Sequence, residues 1–97
     1  MSAELTITRE VSGSKGRYLA RKDGAEAQLT WSITTPHLII ADHTEVPEAF
    51  RGMGVGLALV ERLVADARAE GVKIVPLCPF VNAQRKRHPE WADVFQT

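Results

Sequence analysis

The chain has 97 residues, which fits one domain spanning 1–97 with one modest core and leaves little room for a second. Its 12 Lys and Arg balance its 12 Asp and Glu, and zero net charge speaks against an extended electrostatic grip on nucleic acid. A single cysteine, Cys78, excludes an internal disulfide, and no secretory signal or apolar run near the roughly 20 residues of a membrane span is present, so a cytoplasmic protein with no membrane partner is expected.

The first half reads as strands. Leu5 and Ile7 alternate with Thr6 and Thr8, and the pattern resumes at Val11 after a slip. Gly13-Ser14-Lys15-Gly16 is a turn signal, Arg17 to Arg21 a short strand, and Lys22-Asp23-Gly24 a second turn. From Ala25 to Thr35, Ala27, Leu29, Trp31 and Ile33 share one parity against Glu26, Gln28, Thr30 and Ser32, the mark of a strand with one wet face. Thr35-Pro36-His37 breaks it. The segment from Leu38 to Val46 opens on an apolar run, as a central strand does.

The period then changes. Between Gly54 and Glu70, Val55, Leu57, Ala58, Leu59, Val60, Leu63, Val64 and Ala67 form the apolar side of an amphipathic helix, with Glu61, Arg62, Asp66, Arg68 and Glu70 mostly opposite. At about 1.5 Å per residue it is about 25 Å long, and Gly71 suits a left-handed cap at its end. Lys73 to Val75 is a short strand stopped or bent by Pro76. Pro79 to His88 reads as a second helix with Cys78 at its N-cap and Pro79 at the first helical position. Pro89 ends it, and residues 89–95 form a last amphipathic turn in which Trp91, Val94 and Phe95 cover the core. Four strands, a helix, a strand and a helix predict an α+β fold around a mixed, mostly antiparallel sheet of about five strands.

Arg51-Gly52-Met53-Gly54-Val55-Gly56 lies between a strand and the long helix. A helix N-terminus offers unpaired N–H groups and the positive end of a dipole, and glycines let backbone approach an anion. A phosphate-bearing ligand suits this turn, and a tight connection without a ligand is the alternative. A dinucleotide fingerprint fails because its third glycine position holds Leu57, and no Gly-Lys-Ser/Thr of a Walker loop is present. Arg-x-x-Gly-x-Gly fits.

That pattern resembles the pyrophosphate signature of the GNAT acetyltransferases, and residues 46–60 are similar to the family's strand-turn-helix segment throughout. More narrowly, the chain resembles a group of very short GNAT-like proteins through His43-Thr44-Glu45-Val46, Pro76-Leu77-Cys78 and Arg87-His88-Pro89-Glu90-Trp91. The resemblance implies acetyl-CoA as acyl donor and an amine or protein acceptor. It implies that the backbone of Arg51, Gly52, Met53, Gly54, Val55, Gly56 and Leu57 holds the pyrophosphate. It also implies that Thr44 to Val46 pairs with the pantetheine arm, and that Asn82 lies near the coenzyme. The chain departs from larger members in having only turns between its first strands, and no Tyr in the second helix to protonate the leaving thiolate.

Acyl transfer from a thioester needs a neutral amine, help for the oxyanion and a proton for sulfur. Strict alternation along Leu38 to Val46 puts Ile39, Ala41, His43 and Glu45 on one face, where His43 and Glu45 are candidates for base and orienting partner. A bulge would shift that parity. The alternatives are a structural histidine and a solvated carboxylate. Cys78 at a helix start is either an activated thiol that accepts the acetyl group or forms a mixed disulfide with CoA, or a small buried hydrophobe. Arg85, with Lys86, Arg87 and His88, either contacts the 3′-phosphate of CoA or an acidic acceptor, or is a solvated face that complements the helix C-terminus. No spaced metal motif occurs, and no metal is expected. A non-catalytic CoA-binding module, or a thiol-reactive sensor using Cys78, is the competing reading. The state expected is a monomer or weak homodimer.

Overall fold

A computed structural model describes residues 5–97. Five strands form one sheet in the order β1 (Thr6–Ser12), β2 (Lys15–Lys22), β3 (Ala25–Thr35), β4 (Leu38–Glu45), β5 (Lys73–Pro76). The first four are antiparallel neighbours, and β5 runs parallel to β4. That parallel pairing requires a crossover, supplied by helix α1 (Val55–Glu70). Helix α2 (Pro79–Arg87) and a short 3-10 turn at Pro89–Trp91 follow β5. The mixed, mostly antiparallel α+β architecture expected from the sequence is the one observed.

Local chemistry explains the elements. The β2–β3 hairpin turns on Asp23 and Gly24, whose φ values of 52° and 80° match the positive torsions of a tight hairpin. The first hairpin is tighter than the sequence suggests, because β2 begins at Lys15 and pairs it with Ser12. Gly16 is therefore not a turn residue. It sits opposite Trp31, and a Cβ there would lie 2.3 Å from the indole, so glycine makes room for the ring.

One face of the sheet carries the core. Tyr18, Ala20, Ala27, Leu29, Trp31 and Ala41 meet Val55, Leu59, Val60, Leu63, Val64 and Ala67 of α1. Pairing in β1 runs unbroken from Thr6 to Ser12, so the apparent slip is a charged residue in the helix-side row. Arg9 stands there, 5.7 Å over the Trp31 ring, and donates to Glu70 of α1 at 3.0 Å. Gly71 ends α1 in the left-handed conformation at φ 70°.

The C-terminal segment keeps the expected turn from Pro89 through Val94, whose N–H donates to Trp91 O at 3.0 Å, and becomes strand-like only at Phe95. Ile74 N–H donates to Val94 O at 2.7 Å and Gln96 N–H to Ile74 O at 2.8 Å, so Phe95 bridges to the outer edge of β5. This pairs an edge that would otherwise expose its backbone. Trp91 and Val94 are buried and Phe95 half-buried.

Candidate functional site

Strands β4 and β5 stay together for four residue pairs, Leu38 with Lys73 to Ala41 with Pro76. Proline cannot donate to a ladder, and Pro76 stands where the pairing stops. The chain then swings away. Cys78 N–H still reaches Ala41 O at 2.8 Å, after which α2 begins at Pro79. Beyond Ala41, β4 continues to Glu45 against β3 alone. The two strands thus open into a cleft walled by the end of β4 and the start of α2.

The glycine turn closes one end of this cleft. Gly52 and Gly54 have φ values of 76° and 70°, a region that side chains with a Cβ rarely adopt. A Cβ on either would meet no atom of the described residues within 4 Å, so these two are glycine for backbone shape. Gly56 is glycine for a different reason. A Cβ there would lie 2.8 Å from Phe80 Cζ and 3.5 Å from Val46 Cγ2, so α1, α2 and the end of β4 converge on this point. Gly54 caps α1 without a side-chain hydrogen bond, and no acidic residue occupies the first turn. The first intrahelical bond is Ala58 N–H to Gly54 O at 3.0 Å. The N–H groups of Val55, Gly56 and Leu57 precede it and form the positive end of the helix.

Four of the exposed large apolar side chains border the same region: Val46, Met53, Leu77 and Phe80. Apolar surface gathered beside a polar helix end suits a ligand with an anionic head and a slender less polar arm. Arg51 is exposed and, among the described residues, is held by Glu48 alone at 2.8 Å, three residues away, a surface pair that an anion can displace.

The expected site residues fall into two groups. Thr44, Val46, Arg51 to Leu57 and Cys78 all surround the cleft. Thr44 Oγ1 lies 3.4 Å from Cys78 Sγ. Cys78 is buried, with 3 % of its surface exposed, and belongs to the core cluster. Asn82 sits one turn into α2, and its Oδ1 accepts from Arg85 Nε at 2.8 Å, so these two restrain each other.

His43 and Glu45 do not join that group. Trp31 pairs with Ala41 but Thr30 pairs with His43, so Asp42 is an extra residue in β4, a bulge. The alternation read from the sequence breaks there. Thr44, opposite buried Leu29, takes the helix-side face that Ala41 occupies, whereas His43 and Glu45 pair with Thr30 and Gln28 on the open face. The expected face shared by Ala41, His43 and Glu45 is therefore corrected by the bulge. His43 and Glu45 are exposed, and Glu45 only meets Gln28 Nε2 at 3.4 Å.

The one tyrosine lies elsewhere. Tyr18 is buried, and its hydroxyl donates to Asp66 of α1 at 2.6 Å. Burial, reinforced by the carboxylate it bonds, pushes this hydroxyl well above the ordinary tyrosine range. It is a structural donor between sheet and helix. No group of three or more His, Cys, Asp or Glu that could hold a metal ion occurs among the described residues, and no helix among them is long and apolar enough to cross a membrane. Sequence reasoning missed Phe80 and Leu77 as cleft walls and Asp42 as the bulge. An aromatic directly after the first-turn proline of α2 was the available signal for Phe80; the bulge left none.

Comparison with known proteins bears on the family and the fold. A family model described as GCN5-related N-acetyl-transferase matches residues 17–94, from β2 to the segment that covers β5. The fold is similar to the solution NMR structure of a GCN5-like candidate N-acetyltransferase from Staphylococcus aureus, with a TM-score of 0.68 and 26 % identity, over 92 % of this chain and 87 % of that one. Among curated proteins none matches the chain.

Proposed function

Because the chain belongs to the GCN5-related N-acetyltransferases, we propose that it binds acetyl-CoA in the cleft between β4 and α2 and transfers the acetyl group to an amine. The observation that carries this reading is the coincidence, at one opening, of an uncapped helix start, a glycine turn and exposed apolar walls. The pyrophosphate would lie against the N–H groups of Gly52 to Leu57, where the helix dipole favours negative charge. The pantetheine arm would run along the unpaired side of β4 at Thr44 to Val46, between Val46 and Phe80. Arg51 would exchange Glu48 for a phosphate oxygen.

The transfer needs little from side chains beyond placement. A thioester held where β4 leaves β5 would lie beside the β4 bulge at Asp42. Holding amine and thioester in line turns a bimolecular step into an effectively unimolecular one. Burial of Cys78 supports direct transfer over an acetyl-cysteine route, because a thiolate nucleophile needs access to the carbonyl. Calorimetric titration with acetyl-CoA, with NAD as comparison, tests the reading. Saturable binding that is lost in Gly54→Val, together with acetylation of a primary amine detected by mass spectrometry, is the expected result. Equal binding by wild type and Gly54→Val would remove the turn from the site.

A further inference from the structure

Resting on the acetyl-transfer reading above, we propose that the open face of the sheet at the β4 bulge is the acceptor seat: Asp42 and Ser32 receive the ammonium group of a primary alkylamine, and Lys15 holds that place in the free protein. The bulge makes this possible. By register Lys15, Ser32, Ile40 and Val75 form one row across β2 to β5 on the open face. The extra residue in β4 sets Asp42 between that row and the next, directly after Ala41, the last residue paired to β5. Its carboxylate therefore stands on the far side of the sheet from α1, at the point where the cleft begins.

The hydrogen bonds run in one direction. Lys15 Nζ donates to Ser32 Oγ at 2.6 Å, and Ser32 Oγ donates to Asp42 Oδ2 at 2.6 Å. Lys15 Nζ lies 3.8 Å from the same carboxylate oxygen. The two ends differ in kind. The Asp42 side chain is 27 % exposed, whereas Lys15 is 71 % exposed on a long flexible stem. A fixed, half-sheltered carboxylate with a displaceable ammonium beside it is what an amine-binding site looks like when an internal lysine fills it.

Charge balance points the same way. A groove of about 730 Å³ on this face is lined by Glu10, Lys15, Arg17, Thr30 and Asp42. Glu10 and Arg17 neutralise each other at 2.8 Å. Lys15 and Asp42 remain, so an incoming ammonium that displaces Lys15 keeps the carboxylate paired. The occupant is a slender primary alkylamine, a free amine or the side chain of a peptide lysine, because a lysine side chain already fits. In the reaction the ammonium gives one proton to water through Asp42. The freed nitrogen pair attacks the thioester carbonyl, the N–C bond forms and the C–S bond breaks. The second amine proton ends on sulfur, giving the amide and the CoA thiol.

Steady-state transfer from acetyl-CoA to n-butylamine and to a tripeptide with a central lysine tests this in wild type, Asp42→Asn and Lys15→Ala. Removing the charge partner raises the amine KM by about tenfold, in line with a charge-assisted hydrogen bond. Removing the internal competitor lowers it, by about threefold on mass action. Binding of acetyl-CoA stays unchanged in Lys15→Ala. The probe with the lower KM identifies a free amine or a peptide lysine as the source. A purely structural chain of hydrogen bonds moves both variants in the same direction, and that outcome, or an unchanged KM in Asp42→Asn, overturns the inference. A wild type that binds acetyl-CoA but acetylates neither probe overturns it too, while leaving the coenzyme cleft standing. No binding of acetyl-CoA removes both.

Discussion

The convergence at Gly56 gives a sharp test of the cleft. In Gly56→Ala the new Cβ would start 2.8 Å from Phe80 Cζ and 3.1 Å from Cε2. Carbon atoms prefer about 3.5 Å or more, so the ring must retreat by about 0.7 Å. Phe80 is 36 % exposed, so it can rotate rather than push the core. An off-rotamer aromatic costs about 0.5–1.5 kcal/mol. Alanine in place of glycine in a helix returns about 0.5–1 kcal/mol. The two nearly cancel, and the melting temperature should move by less than about 5 °C. Acetyl-CoA affinity should fall by about tenfold, or about 1.4 kcal/mol, because the displaced ring no longer lines the cleft. In the Phe80→Ala background the same methyl meets no ring, and adding Gly56→Ala should then change affinity by less than about threefold. Paired calorimetric titrations of the four proteins measure this cycle. Unchanged affinity in Gly56→Ala, or a tenfold loss that persists without the ring, would refute the assignment of Phe80 as a wall.

Other consequences follow from groups outside the cleft. Tyr18→Phe removes a part-buried hydrogen bond to Asp66 and should destabilise the fold by about 1 kcal/mol in urea unfolding, with acetyl-CoA affinity unchanged. The Arg9 guanidinium holds the Glu70 carboxyl below the usual glutamate range. The folded pKa is depressed, so this contribution is complete above the unfolded glutamate range and is lost as pH falls through the depressed value. Glu70→Gln should therefore show a smaller loss of stability on acidification than wild type, by under about 1 kcal/mol because the pair is half-exposed. Cys78 is buried, so a thiol reagent should modify it slowly in the native protein and quickly in urea; equal rates would show that the thiol is open.

The sequence was most legible where pattern and punctuation agreed. The 25–35 strand has period 2 on Ala27, Leu29, Trp31 and Ile33 and a breaker at each end, and the structure has the same bounds. The long helix begins at its glycine and stops at Gly71, both of which have positive φ. Features decided by tertiary contact were harder to read. Gly16 looks like a turn glycine until the Trp31 indole is laid over it. Arg9 looks like a break in an apolar row because its partner, Glu70, lies 61 positions away. The bulge at Asp42 mattered most for the site. One extra residue exchanged Thr44 for His43 beside Cys78, and no local residue type at 41–44 marks it. Side-chain facing depends on counting residues in a strand, so a single insertion reverses every position after it.

Amide chemical shifts recorded while acetyl-CoA is added test the central claim most directly. The account predicts the largest changes at Gly52 to Leu57, followed by Thr44 to Val46 and Phe80, with Tyr18 and Asp66 little affected. Absence of saturable shifts, or shifts concentrated around Arg9, Asp66 and Glu70 at the other end of α1, would contradict it.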